Sequence, residues 1–269
     1  MANSKRLSVA FVCVVLAASC VSAPKIDPPQ FTQRHYTFSV LYDPKQRSNA
    51  PQLELAMSLL EMQYPQEAAG FFNEVLYSGE GLDGYKDRVI REQRENYRSE
   101  MSKMAAAKRD IQKGANWRYA ERIAVKSIED KGAVIERNLE TYMGGAHGLA
   151  TKRYYVIDFD SLRLLKIDDI FQDYQGEETR AIVYEELRKY DGLREGQPLS
   201  RGIFFSNEPD LTSNFFITQE GIGLHWSPYE IAPYVAGKIE IIIPWERVRP
   251  LLLNSGMELL TKFNVYLFV

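Results

Sequence analysis

Apolar and polar side chains alternate over residues 36–41, where Tyr36, Phe38 and Val40 share one parity. A period of two places them on one face of a β-strand. Leu53, Leu55, Met57 and Leu59 alternate as well, although Leu60 and Met62 break the period; strand is favoured over helix here. The polar stretch 43–51 between them reads as a loop. Residues 67–76 switch to a helical spacing through Ala68, Phe71, Phe72 and Val75. Gly79, Gly81 and Gly84 then punctuate the chain. Residues 85–113 carry the longest helical pattern, with Val89, Tyr97, Met101, Met104 and Ile111 close to one stripe and charged residues elsewhere. Gly114 suits the C-cap.

Beyond Asn116 the pattern turns β-like over residues 117–128, 133–142 and 152–159, with Asp130-Lys131-Gly132 as the turn between the first two. Helical spacing returns over 168–174 and over 177–190, the latter through Ala181, Tyr184 and Leu187. Short strands are predicted at 215–218, 223–226 and 238–243, the last ended by Pro244. A short helix is predicted at 245–253, and the apolar tail 263–269 reads as a final strand. Strands and helices cluster instead of alternating. The pattern therefore predicts an α+β fold, with mainly antiparallel sheet packed against a long helix and several shorter ones.

The N-terminus follows different rules. Lys5 and Arg6 precede an apolar run over residues 7–16, and Ala17-Ala18-Ser19 supplies small side chains before Cys20. This order reads as a signal peptide over residues 1–19. The run falls short of the ~20 residues that a bilayer span requires. Small residues directly before a cysteine resemble the bacterial lipobox, with Ala17 at the position usually held by Leu, so Cys20 is the expected lipidation site. Cys13 and Cys20 are the only cysteines, so no internal disulfide is expected after export. Residues 20–34 are then a lipidated, flexible linker, with three prolines in 21–30. The expected location is the cell envelope, tethered to a membrane by the lipid. Val21 favours the outer membrane in a diderm host.

Composition narrows the partners. The chain is 45% hydrophobic and 26% charged with a net charge of -3, ordinary for a globular protein and without the basic excess of a nucleic-acid binder. His35, His147 and His225 have no metal-ligand spacing, and there is no GxSxG elbow, so neither catalysis, metal nor cofactor is expected. Asp158, Asp160, Asp168 and Asp169 suit paired carboxylates or a cation site, and equally a solvated strand end and helix cap.

Two segments stand out. Residues 142–148 gather Tyr142, Gly144, Gly145, His147 and Gly148 between two strands. They form either a ligand-presenting turn or a tight connection whose His caps a carbonyl. Residues 226–237 carry Tyr229, Glu230, Pro233 and Tyr234 in a stiff aromatic loop. That loop is either a recognition surface or a clamp on the sheet. These nine residues are the candidate binding surface, and the two segments are expected on one side of the domain. A cell-wall hydrolase using His147 and a carboxylate, and a purely structural envelope lipoprotein, are the alternatives.

The order GGAHG, a strand ending in Asp158, LxxxDIF over 165–171, PYEIAPYxxG over 228–237 and IxIP over 241–244 resembles one family of bacterial envelope domains. That family includes the extracellular part of RsiV, the lysozyme-responsive anti-sigma factor, and the non-catalytic N-terminal part of the deacetylase PdaC. The resemblance covers residues 36–253. It implies a PdaC-like module over 35–150 and an RsiV-like module over 151–269, interlocked as one unit. It also implies a ligand that is a protein such as a muramidase, or cell-wall glycan. RsiV-like proteins place a cytoplasmic segment and a membrane span before this module, and PdaC-like proteins add a deacetylase domain. What carries over is the binding module, without sigma-factor control or deacetylation.

Overall fold

The computed structural model describes residues 29–41, 52–107, 116–129 and 131–267. The expected signal peptide, Cys20 and the linker up to residue 28 lie outside the described residues. The fold is α+β. Strands β1 (Gln30–Leu41), β2 (Gln52–Tyr64), β3 (Trp117–Ile128), β4 (Gly132–Tyr142), β5 (Leu149–Asp158) and β6 (Arg163–Leu164) form one sheet in sequential order. Every neighbouring pair is antiparallel except β2 and β3. A parallel pair needs a long crossover. Helices α1 (Gln66–Tyr77) and α2 (Gly81–Ala106) supply it.

The crossover helices cover one face of the sheet. Leu53, Leu55, Met57 and Leu59 of β2 point into this core with Phe72 and Leu76 of α1 and Val89, Tyr97 and Met101 of α2. Glu121 is buried on the same face. Its carboxylate accepts from the Tyr85 hydroxyl at 2.8 Å, the Tyr119 hydroxyl at 2.9 Å and the Arg137 guanidinium at 2.6 Å. Burial pushes the Tyr85 and Tyr119 hydroxyls well above their ordinary range, and the Glu121 charge adds to this. The cluster ties α2, through Tyr85, to β3 and β4.

A second layer packs on the other face at one end. It contains α3 (Glu177–Tyr190), the antiparallel three-stranded sheet β7 (Phe215–Ile217), β8 (Gly221–Trp226) and β9 (Ile239–Pro244), then α4 (Trp245–Val248) and α5 (Asn254–Thr261). Strands β4 and β5 are therefore sandwiched. Val134, Tyr154 and Val156 enter the second core while Ala133, Ile135, Tyr155 and Ile157 enter the first. Unbroken apolar runs at these positions are what burial on both faces requires. Beyond the short β6 pairing, the open edge of β5 is served by a side chain: the Asn214 amide accepts from Tyr154 N–H at 2.8 Å and donates to Lys152 C=O at 2.8 Å.

Four expectations change. β1 starts at Gln30, so the linker expected through residue 34 ends before the strand; β2 offers pairing partners back to Tyr64. A module boundary at 150 falls inside β5, which pairs with β4 from Leu149 to Asp158 and completes the first sheet. The helix expected over 168–174 is only a 3-10 turn, Ile167–Asp169, because Ile170, Phe171 and Tyr174 are drawn into the second core and Phe171 bridges Leu252. The tail forms no strand over its described part. Instead α5 closes with Asn264 at a φ of 56° and Val265 N–H bonded to Leu260 C=O, a helix C-cap. The α5 sequence hid this helix behind Gly256, where a side chain would collide with the Ile170 carbonyl at 2.4 Å.

Candidate functional site

Residues 143–148 join β4 to β5. Gly144 and Gly145 adopt φ of 84° and 96°, values that favour glycine. Gly148 serves a different need: a Cβ there would lie 2.5 Å from the Thr141 carbonyl oxygen. The Tyr142 hydroxyl donates to Gly145 C=O and braces the turn. The turn holds His147 outward, next to the loop between β8 and β9.

That loop meets it ring to ring. Tyr234 stacks on the His147 imidazole with centroids 4.0 Å apart and planes inclined 18°. The Tyr229 hydroxyl lies 3.2 Å from His147 Nε2. His147 Nδ1 is 3.0 Å from Gly148 C=O, which can only accept, so Nδ1 donates there, and in the neutral ring Nε2 accepts from the Tyr229 hydroxyl. Tyr229 holds a φ of 74°, unusual for a bulky residue and costing on the order of 1–3 kcal/mol. The tight 227–230 turn imposes it: Glu230 N–H bonds to Ser227 C=O, and the Glu230 carboxylate accepts Ser227 N–H at 2.9 Å. Glu230 is thus engaged in bracing the turn, and Pro233 leads into the 3-10 turn that carries Tyr234. Met143, Leu149 and Val235 add exposed apolar surface, Val235 at 91% exposure.

The cluster stands at one end of a polar trough on the open face of the first sheet, about 520 Å³ in volume. Ala56 and Ala120 are register partners, and their short side chains make the floor dip. Arg122, Asn138 and Lys152 rise along one side, and Lys238 approaches from the second layer. Arg118, Glu140, Tyr142 and Tyr234 form the end nearest His147. The Glu136 carboxylate sits between Arg122 at 3.6 Å and Lys152 at 3.5 Å, and accepts from Asn138 at 3.2 Å.

The acidic residues singled out in the sequence do not join His147. Asp158 ends β5 at the opposite end from the His147 turn, about 30 Å away along a ten-residue strand. It caps the following turn through Asp160 N–H and Ser161, and pairs with Lys262 at 2.7 Å. Burial opposes its charge, but Lys262 and Ser161 hold the carboxyl below its usual range. Asp160 faces Lys131 and Lys262, while Asp169 accepts from Arg163 and from Lys166 N–H. Among the described residues no carboxylate lies within hydrogen-bond reach of His147, and no three His, Cys, Asp or Glu are grouped to hold a metal ion.

Sequence reasoning missed a further group. His225 on β8 is buried, and its Nδ1 lies 3.2 Å from Glu240 on β9, its cross-strand partner. The Glu240 carboxylate also accepts from the Tyr154 hydroxyl at 2.9 Å, and Lys152 stands 3.9 Å away. The His225 hydrogen bond, with Tyr154 and Lys152, holds the Glu240 carboxyl down at about 2 against the opposing effect of burial. This network anchors Lys152 in the trough wall. Its only signal in the sequence was ionisable residues, Lys152, His225 and Glu240, set within otherwise apolar strand runs.

Residues 168–246 match the family described as "Protein of unknown function (DUF3298)". Over 120 residues the chain is 30% identical to the peptidoglycan-N-acetylmuramic acid deacetylase PdaC of Bacillus subtilis (strain 168), covering 44% of this chain. The chain spans about a quarter of the length of that curated relative, 25%. A DUF3298 family structure from Bacteroides fragilis superposes with a TM-score of 0.73 at 21% identity, covering 84% of this chain and 94% of the other. One from Pseudomonas aeruginosa superposes at 0.59 with 16% identity, covering 86% and 97%. These similarities establish a shared fold.

Proposed function

We propose that this chain is a non-catalytic binding module of the bacterial cell envelope, exported by residues 1–19 and held at a membrane by a lipid on Cys20. Its ligand, cell-wall glycan or a muramidase-type protein, docks on the His147–Tyr229–Tyr234 cluster. The contact between these three rings carries the reading. Two loops 82 residues apart in the chain converge to present aromatic surface, and one accepts a strained Tyr backbone to do so. Strain of this kind collects at ligand-binding sites. Tyr rings give large contact area with a polar tip, as recognition surfaces use. The absence of a carboxylate beside His147, among the described residues, favours binding over acid–base hydrolysis. The PdaC relative is named for peptidoglycan chemistry, which supports a wall-associated setting.

Co-sedimentation of the full chain with purified sacculi, and capture by immobilised lysozyme, test the ligand. The wild type is expected to be retained by one of them. The His147→Ala, Tyr229→Ala double variant should bind weaker by about 2 kcal/mol, roughly thirtyfold. Its melting temperature should change little, since both side chains are exposed. Unchanged binding with a large drop in melting temperature would make the cluster a structural clamp. The anchor is tested by metabolic labelling with a palmitate analogue, where Cys20→Ala should lose the label; equal labelling removes the lipid from the reading.

A further inference from the structure

The outer strands of this fold are short, with one exception. β6 has two residues, β7 three and β9 six, and Asn214 occupies the open part of the β5 edge. Short edge strands and side-chain seals are ways in which sheets avoid pairing with a neighbour. β1 has twelve residues and is roughly 40 Å long. β2 takes one of its edges from Gln30 to Leu41, and among the described residues nothing hydrogen-bonds to the backbone along the other. The usual deterrents are weak here. Residues 30–41 contain neither proline nor lysine, and the one bulge lies at the very start, between Gln30 and Phe31. The single guanidinium, Arg34, is paired with Glu61 of β2 at 2.8 Å.

The adjoining segments of the same chain do not suit this edge. Residues 24–29 carry Pro24, Pro28 and Pro29, which lack the N–H that a ladder uses. Residues 42–51 must join Leu41 to Gln52, its register partner, so they are too few to run along the edge and return. The edge calls for a strand that is apolar on one face, small and polar on the other, and nearly uncharged. β1 itself fits: Tyr36, Phe38 and Val40 pack half-buried at the rim of the first core, while Thr37 and Ser39 take the opposite face. Antiparallel pairing about a two-fold axis sets each residue against one of its own face, so apolar meets apolar and polar meets polar. We infer that the chain forms a two-fold dimer in which β1 pairs with β1 of a second copy, joining two six-stranded sheets into one. An axis at Thr37 pairs residues 33–41. It sets Tyr36 opposite Phe38 of the second copy, and Phe38 opposite its Tyr36, two aromatic cross-strand pairs. It also places Arg34 opposite Val40 and away from its own symmetry mate. β1 lies four strands from β5, so each dimer carries two accessible His147 clusters. The inference stands apart from the reading of that cluster.

Sedimentation of the full chain across a range of concentrations tests it, with no ligand added. The wild type is expected to associate as two copies and to dissociate on dilution. Thr37 is exposed, so Thr37→Lys should leave the melting temperature of the dilute chain unchanged. Like charges directly opposite each other should weaken association by about fivefold. Mixing Thr37→Lys chains with Thr37→Glu chains should restore it. In a chain carrying Cys13→Ala and Cys20→Ala, Thr37→Cys should oxidise to a disulfide-linked dimer, since opposed residues of a strand pair lie within bridging distance. Amide exchange over residues 31–41 should slow as concentration rises. A single copy at every concentration overturns the inference, and exchange then identifies what holds the edge. Slow exchange at all concentrations assigns it to a segment of the same chain, and fast exchange leaves it to a foreign strand. A dimer that Thr37→Lys does not weaken, or that Thr37→Cys does not cross-link, places the interface elsewhere and overturns it as well. Because association is read without ligand, failure here leaves the test with sacculi and lysozyme untouched.

Discussion

Glu240 shows how a single carboxylate reports on the packing around it. His225, Tyr154 and Lys152 converge on it, and its carboxyl is held at about 2, below the ordinary 4.5. A depressed carboxylate stabilises the fold above its unfolded value, and that contribution is lost as pH falls from about 4.5 through about 2. With its side chain 29% exposed, the contribution is on the order of 2 kcal/mol. Glu240→Gln should therefore be less stable than the wild type at pH 6, and the gap should close toward pH 2. Denaturant melts across that range read the difference directly. Parallel curves would mean that Glu240 ionises as freely in the folded chain as in the unfolded one. His147 is a contrasting case, since its partners are a carbonyl and a phenol and its ring is exposed.

At the scale of elements, α2 is held by more than its apolar stripe. Tyr85 reaches from its first turns to the buried Glu121, where Tyr119 and Arg137 also converge. Tyr77, at the end of α1, donates to Leu60 C=O and accepts from Leu60 N–H, beyond the last β2–β3 pair at Ser58. Polar groups thus fix where both crossover helices sit on the sheet. Removing one member of a buried charge pair strands the other. Glu121→Met should cost about 3 kcal/mol, because Arg137 is left without its carboxylate. The double variant Glu121→Met, Arg137→Met should recover most of that loss. A double variant as unstable as the single one would show that packing volume, and not the charge pair, sets the position of α2.

For the whole molecule, β5 is the shared part. One of its faces belongs to the core under α1 and α2, the other to the core under β7 and β8, and Asn214 seals its edge. Two halves divided at residue 150 would each lose a strand that the other keeps. Limited proteolysis should leave residues 117–171 uncut under conditions that trim the termini. Asn214→Ala leaves Tyr154 N–H and Lys152 C=O without their partner, costing about 1–3 kcal/mol, and should make this span the first internal site of cleavage. A rapid cut near His147 that releases two folded halves would refute the shared-sheet account. The same arrangement explains why the candidate surface lies where it does. The β4–β5 turn belongs to the first sheet and the Tyr229–Tyr234 loop to the second, so the cluster forms where the two layers meet.

Local pattern alone determined the α+β class, most strand positions and the full extent of α3, because alternation and helical spacing are properties of neighbours in sequence. It also picked out the His147 turn and the Tyr229–Tyr234 loop, since three glycines around a histidine and paired Tyr and Pro residues are unusual in composition. Their contact was an expectation only; the ring stacking depends on two layers docking at one angle. Tertiary structure alone decided the rest. Whether residues 168–174 wind into a helix depended on a core assembled from distant segments. α5 was hidden by a glycine whose reason is the Ile170 carbonyl. The trough was invisible because its floor is a row running across strands: Ala56 and Ala120 are 64 residues apart in sequence, and only pairing sets them side by side. Periodicity records which face a residue takes, while register, which depends on long-range pairing, decides which residues share a site.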